Sequence, residues 1–149
     1  MSQQKKAERD RVCAIAESWI GTPFHDEACV KGAGVDCAQL LRGVFVEAGL
    51  VAPFDTGHYS PQHFMHSPEE RFLGWVQQFA HEIPQDEVQP GDIVLYRICK
   101  AFAHGAIILQ PGWPEIVHAH YASRSVIRAK GTAVHLGTKI LGMKFFTRW

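Results

Sequence analysis

The chain has 149 residues, and its 46% of hydrophobic and 20% of charged residues are typical of a globular protein. Fifteen basic and fifteen acidic residues cancel, which excludes a general attraction to nucleic acid. No stretch is apolar over the length of a membrane span, and the polar N-terminus lacks the apolar segment of a classical secretory signal. We therefore expect a single domain over residues 1–149 that has no membrane span and is cytoplasmic as synthesised.

Two helices are predicted in the first third of the chain. The first is amphipathic and runs from about Gln4 to Ile20, where a Gly-Thr-Pro turn ends it. The second begins after Asp36, which is a good N-cap because its carboxylate accepts hydrogen bonds from free backbone N–H groups. Apolar residues then recur at helical spacing until Gly49 ends the helix.

Cys37 lies in the first turn of this second helix. A thiol at this position feels the positive end of the helix dipole, so we expect its pKa to be lowered and the nucleophilic thiolate to be favoured. The alternative is a small buried hydrophobic residue, which is the commoner role of a lone cysteine. No CxxC pair is present, which predicts free thiols at all four cysteines: Cys13, Cys29, Cys37 and Cys99.

A third helix is predicted to begin at Ser67, which has the features of a capping box together with Pro68 and Glu70. From Gln89 onward, turn residues separate five short segments that are rich in β-forming residues. These predicted strands are Ile93–Ile98, His104–Leu109, Glu115–His120, Ser125–Ala129 and Ile140–Phe146. Helices followed by strands indicate the α+β class, with N-terminal helices packed on a C-terminal antiparallel sheet of about five strands.

Three of the nine histidines stand out by their position. His104 begins a predicted apolar strand, whereas His118 and His120 are two residues apart and so point to the same face of another strand. If the two strands pair antiparallel through the turn at 111–114, the rings of His104 and His118 come close together. This arrangement offers a nucleophile in Cys37, a histidine base and a third polar residue that orients the base.

The same residue types also bind zinc, and the plausible ligands are Cys37, His104, His118 and His120. The close-set ligand pairs that are usual in zinc sites are missing, apart from the His-x-His pair, so we expect no metal and no other cofactor. The remaining alternative is that these histidines are structural residues with satisfied hydrogen bonds and no chemical role.

Five segments resemble, in the same order, the motifs of the NlpC-type cell-wall peptidases, which are papain-like cysteine enzymes that cut peptidoglycan stem peptides. They lie between about residues 12 and 120: Gly21–Phe24, Gly34–Cys37 with its helix, Pro90–Val94, His104–Ile108 and Ile116–Ala119. No single segment is decisive, but five in the family order are strong support. The stretch from Trp19 to Phe45 is particularly similar to the phage and prophage tail-associated branch.

The resemblance implies that Cys37 is the nucleophile, His104 the general base and His118 the residue that orients the base, with His120 as a second choice for the third role. In many relatives a tyrosine before the cysteine helps to hold the oxyanion or the substrate, and Phe24 stands at the matching position. A phenyl ring donates no hydrogen bond, so this part of the site departs from the family pattern. The residues expected around the substrate or oxyanion are Phe24, His25, Asp36 and His120.

The activity implied by the resemblance is hydrolysis of an amide bond in the stem peptide, between the γ-carboxyl of D-glutamate and the diamino acid. The expected partners are the stem peptide and, for the tail-associated branch, proteins of a phage tail or tail-like particle that would carry the protein to the cell wall. Two alternatives remain. One is an amidase or acyltransferase that uses the same residues on another substrate, and the other is a non-catalytic tail or wall-binding module with the same fold.

Overall fold

The computed structural model describes residues 1–59 and 70–149 of the chain. Within these residues lie three helices: α1 (Gln3–Ser18), α2 (Cys37–Glu47) and α3 (Arg71–Gln77). A two-stranded ribbon of β1 (Cys29–Val30) and β2 (Gly34–Val35) precedes α2. One larger sheet contains β3 (His81–Ile83), β4 (Ile93–Ile98), β5 (Ala101–Ile108), β6 (Glu115–His120), β7 (Ser125–Lys130) and β8 (Ile140–Thr147).

The strands of the larger sheet pair in the order β3-β8-β4-β5-β6-β7, and every pairing is antiparallel. The predicted fold class, with N-terminal helices on a C-terminal antiparallel sheet, is therefore confirmed. Strands β4 and β6 have the predicted bounds, whereas β5 begins three residues before the predicted His104. The sheet has six strands, one more than predicted. The additional strand, β3, was not predicted because its three exposed or half-buried residues are too few to show an alternating pattern.

The central strands β4, β5 and β6 are buried on both faces of the sheet. Alternate residues of β4 and β5, such as Ile93, Leu95 and Ile107, pack in one core with the helices. The intervening residues of the same strands, such as Val94 and Ile108, belong to a second core on the opposite face. Two of these buried strands, β5 and β6, carry the histidines that the sequence singles out.

Helix α1 is fixed to the sheet by a buried ion pair. Nη1 of Arg9 lies 2.8 Å from Oδ1 of Asp92, and both side chains are almost inaccessible. The second carboxylate oxygen of Asp92 accepts a hydrogen bond from the N–H of Gln89 at 2.8 Å, and Nη1 of Arg9 also donates to the carbonyl of Pro90. Asp92 therefore stabilises both the position of α1 and the turn that leads into β4.

The start of the third helix lies partly outside the described residues. Ser67 and Pro68, where the helix was predicted to begin, fall within residues 60–69, and the described part of α3 starts at Arg71. None of the helices that the structure describes combines the length and the apolar character needed to span a membrane.

Candidate active site

Helix α2 starts at Cys37 because Asp36 caps it. The backbone of Asp36 is extended, and Oδ1 of its carboxylate accepts a hydrogen bond from the N–H of Gln39 at 2.9 Å. The other oxygen accepts from the N–H of Glu27 at 2.8 Å and so ties the preceding loop to the helix. The predicted N-cap is confirmed, and Cys37 is held in the first turn, at the positive end of the helix.

The thiol of Cys37 lies against strand β5. Its sulfur is 3.7 Å from the carbonyl oxygen of Ala103, to which the S–H donates. The backbone N–H of Gly105 also interacts with the sulfur. Ala103 and Gly105 are the neighbours of His104 in the chain, so the fold places the candidate nucleophile beside the backbone segment that carries the candidate base. The Cys37 residue is half-buried at the edge of the core.

Burial raises the pKa of the Cys37 thiol above its ordinary value, and the adjacent Asp36 carboxylate raises it further. The backbone N–H groups of Cys37, Ala38 and Gly105 lower the pKa, but their effect is weaker than that of burial. The predicted lowering of this pKa is therefore wrong, because the loss of solvation outweighs the favourable N–H groups at the start of the helix. The thiol is neutral at pH 7.

Strands β5 and β6 bring His104 and His118 together. The backbones of the two strands pair only near their connecting turn, where Ile107 is opposite Val117 and Ile108 is opposite Ile116. Farther from the turn, side chains connect the strands: Nε2 of His104 lies 2.7 Å from Nδ1 of His118. Both rings are buried, with His118 only 1% exposed. The close approach that was expected from the strand and turn pattern is present.

Both histidines are neutral at pH 7. Burial lowers the pKa of His104 to well below its ordinary value, and the rings of His118 and His120 lower it further. Burial also lowers the pKa of His118, to about 4, with a smaller contribution from His120. When Nε2–H of His104 donates to Nδ1 of His118, the Nδ1 atom of His104 is left free to accept a proton.

The ring of His120 lies close to the ring of His118. The two ring centroids are 4.9 Å apart, with 31° between the ring planes. Nδ1 of His120 lies 2.7 Å from Oγ of Ser123, and Nε2 lies 2.5 Å from the carbonyl oxygen of His135. These contacts fix the ring of His120 beside His118. His118 is therefore the hydrogen-bonding partner of His104, and the ring of His120 packs against His118.

A model of the NlpC/P60 family matches residues 21–141, which is most of the chain and includes every candidate residue from Phe24 to His120. This chain belongs to the NlpC/P60 family. Comparison with curated proteins gives no significant match.

Solved structures of NlpC/P60 proteins share the fold. The NlpC/p60 domain of the peptidoglycan hydrolase SagA has 21% identity and a TM-score of 0.55, with 82% of this chain and 88% of that domain covered. The peptidoglycan hydrolase RipB of Mycobacterium tuberculosis has 19% identity and a TM-score of 0.60, with 99% and 68% covered. NlpC1 of Trichomonas vaginalis has 13% identity and a TM-score of 0.63, and the match covers 94% of this chain but only 45% of NlpC1.

Phe24 and His25 lie on the loop before the ribbon. The ring of Phe24 is half-buried against the core and meets the exposed Tyr121 edge to face, with the centroids 5.5 Å apart. His25 is exposed, and its Nδ1 lies 3.1 Å from the carbonyl oxygen of Asp26. At the position where many NlpC/P60 proteins have a tyrosine, this chain thus presents an apolar ring that packs against another aromatic side chain.

A different tyrosine, Tyr59, which no sequence pattern singled out, lies against Asp36 at the start of α2. The hydroxyl of Tyr59 donates a hydrogen bond to Oδ2 of Asp36, and it lies 3.5 Å from Nε2 of Gln39. Tyr59 belongs to an irregular segment after α2, 22 positions beyond Cys37. Tyr59 contacts Asp36 because this segment returns over the start of α2, and no local sequence pattern predicts that return.

The alternative of a zinc site finds no support in the arrangement of side chains. Within residues 1–59 and 70–149, no three histidine, cysteine, aspartate or glutamate side chains are placed to hold a metal ion. The Nε2 atom of His104 and the Nδ1 atom of His118 are directed at each other.

The two neutral histidines should make the protein less stable in mild acid. Below pH 6.5 the unfolded chain binds protons on these rings while the native protein does not, so the free energy of unfolding falls as the pH falls. His118, whose pKa is lowered from 6.5 to about 4, accounts for about 3 kcal/mol of this loss between those two pH values, and His104 adds to it.

Urea unfolding at several pH values between 7 and 4 measures the effect. His118→Gln should reduce the slope of unfolding free energy against pH, whereas His81→Gln, at an exposed edge position, should leave the slope unchanged. Equal slopes in the wild-type protein and His118→Gln would contradict the assignment of a buried, neutral His118.

Proposed function

We propose that this protein is a cysteine peptidase that hydrolyses an amide bond in peptidoglycan stem peptides, with Cys37 as nucleophile, His104 as general base and His118 as the orienting residue. The observation that carries the proposal is the 2.7 Å contact between Nε2 of His104 and Nδ1 of His118. The thiol itself lies 3.7 Å from the carbonyl oxygen of Ala103, immediately before His104. A nucleophile, a base and an orienting group are the parts that such chemistry requires.

In the proposed mechanism, catalysis starts from a neutral thiol and a neutral imidazole. The raised pKa of Cys37 and the lowered pKa of His104 both disfavour a preformed ion pair. His104 therefore takes the proton as the sulfur attacks the carbonyl carbon, and it then gives that proton to the leaving amine. The backbone N–H of Cys37 is a donor for the oxyanion. Water activated by His104 then hydrolyses the thioester and releases the acid.

The substrate class is supported by family membership and by two structural neighbours, SagA and RipB, that are named as peptidoglycan hydrolases. Within the stem peptide, we propose the bond between the γ-carboxyl of D-glutamate and the diamino acid. We also propose that a phage tail or tail-like particle carries the protein to the cell wall. These two finer proposals rest on the sequence resemblance to the tail-associated branch.

A non-catalytic wall-binding or tail module is the second candidate. Two observations favour it: burial raises the pKa of the Cys37 thiol, and Phe24 supplies no hydrogen-bond donor where relatives have a tyrosine. An amidase or acyltransferase on another substrate would use the same three residues. Its product distinguishes it, since an acyltransferase moves the acyl group to an acceptor instead of releasing a free acid.

Digestion of purified sacculi tests the proposal. The wild-type protein should release fragments whose masses correspond to cleavage at the diamino acid, and Cys37→Ala should release none above background. Cys99→Ser, at an exposed cysteine, is the matched control and should be fully active. Equal release by wild type and Cys37→Ala would contradict the nucleophile assignment. Binding to sacculi without release by any variant would favour the wall-binding module.

A further inference from the structure

Tyr59 is held beside the start of α2 by several contacts. Its hydroxyl donates to the Asp36 carboxylate, and its backbone N–H donates to Oε1 of Glu27 at 2.6 Å. Its ring lies 5.1 Å from the ring of Trp75 on α3, measured between centroids. The segment before it is also tied to α2, since Nε of Arg42 donates to the carbonyl of Phe54 at 2.7 Å. The hydroxyl is therefore fixed in its place.

Asp36 has two effects on Cys37 that oppose each other. As the N-cap it fixes the first turn of α2 and so the position of the sulfur. As a buried carboxylate next to the sulfur, it raises the pKa of the thiol and disfavours the thiolate. A hydrogen-bond donor on the carboxylate reduces this second effect while the cap is kept, because it stabilises and localises the negative charge away from the sulfur.

The phenol of Tyr59 is a constant donor for this purpose. Burial and the Asp36 carboxylate raise the pKa of Tyr59, so the hydroxyl stays protonated throughout the neutral range. The hydrogen bond acts on its partner in the expected direction, since it lowers the pKa of Asp36 against the larger effect of burial.

We propose that Tyr59 is a positioning residue that holds the Asp36 carboxylate and shields Cys37 from its charge. The inference rests on the proposed role of Cys37 as nucleophile. Other titratable groups surround this cluster. The carboxylate of Glu27 accepts from the N–H of Tyr59 and also contacts the ring of His58, and the charge of Asp26 acts on Asp36. The neutral pair His104 and His118 lies on the sheet.

The rate at which iodoacetamide alkylates Cys37, measured against pH by peptide mass spectrometry on the full chain, tests the proposal. Tyr59→Phe removes only the hydroxyl, and the rate at pH 8 should fall about three- to tenfold as the pH profile moves upward. Asp36→Asn keeps a good N-cap but removes the charge, so it should move the profile downward. In the Asp36→Asn background, Tyr59→Phe should have no further effect.

Tyr121→Phe is the matched control, because Tyr121 is 74% exposed. Alkylation of Cys13 in the same samples reports on the fold, since Cys13 lies on α1 with burial raising its pKa to about 11. An unchanged Cys37 profile in Tyr59→Phe would overturn the proposal. A fall of equal size in the Asp36→Asn background would also overturn it, because the effect would then not pass through the carboxylate.

No peptidoglycan enters this experiment, so its result is independent of the proposed substrate. If sacculi are hydrolysed, Tyr59→Phe should lower kcat by a similar factor and leave KM unchanged, because the shielding acts on the nucleophile and not on substrate binding. If sacculi are not hydrolysed while the alkylation profiles shift as expected, the proposed function fails and the role of Tyr59 stands.

Discussion

Replacement of His104 by alanine should lower the rate of stem-peptide hydrolysis about 100- to 10,000-fold, the range in which a general base contributes to catalysis. The reason is that burial raises the pKa of the Cys37 thiol, so the sulfur needs a base to take its proton during attack. The neutral ring of His104, which contacts His118 at 2.7 Å, is the proposed base. Initial rates on soluble muropeptides, followed by separation of the products, measure the loss.

His104 is buried, so its variants need a test of folding. His104→Gln fills most of the space and should lose activity as His104→Ala does, while circular dichroism shows an unchanged fold. His81→Ala, on the exposed edge strand, is the matched control and should retain the wild-type rate. Activity of His104→Gln within about threefold of wild type would exclude His104 as the general base.

The largest expected change in stability comes from the buried ion pair between Arg9 and Asp92. Asp92→Ala should lower the free energy of unfolding by about 3–5 kcal/mol, the usual result of breaking a buried ion pair from one side. Arg9 would remain buried without its carboxylate, and the N–H of Gln89 would lose its acceptor. Urea unfolding at pH 7 measures the difference.

An exposed ion pair on the same helix provides the control. Lys6 and Asp10 lie 2.7 Å apart, but their side chains are 69% and 62% exposed. Asp10→Ala should therefore lower the free energy of unfolding by no more than about 1 kcal/mol. Similar losses in Asp92→Ala and Asp10→Ala would show that burial of the Arg9 pair does not determine its importance.

Local patterns in the sequence predicted those parts of the site that local interactions determine. Asp36 was predicted as the N-cap because capping depends on neighbours within three positions, and the structure confirms it. The approach of His104 to His118 followed from two apolar strands and one turn, which need no knowledge of distant contacts. The order of helices and strands similarly predicted the α+β class.

Properties that depend on distant parts of the chain were missed. The pKa of Cys37 was predicted from the helix alone, whereas its burial against β5 reverses the direction of the shift. Tyr59 reaches Asp36 through an irregular segment whose path leaves no periodic pattern. Strand β3 is defined by its pairing with β8, near the C-terminus, and not by its own three residues.

The central claim is that the sulfur of Cys37 attacks the substrate, and parallel measurement of thiol modification and activity tests it most directly. Samples treated with iodoacetamide for increasing times are divided, and one half is assayed on muropeptides while the other is mapped by mass spectrometry. We predict that the remaining activity equals the fraction of unmodified Cys37, whatever the state of Cys13, Cys29 and Cys99. Full activity in protein whose Cys37 is completely alkylated would contradict the claim.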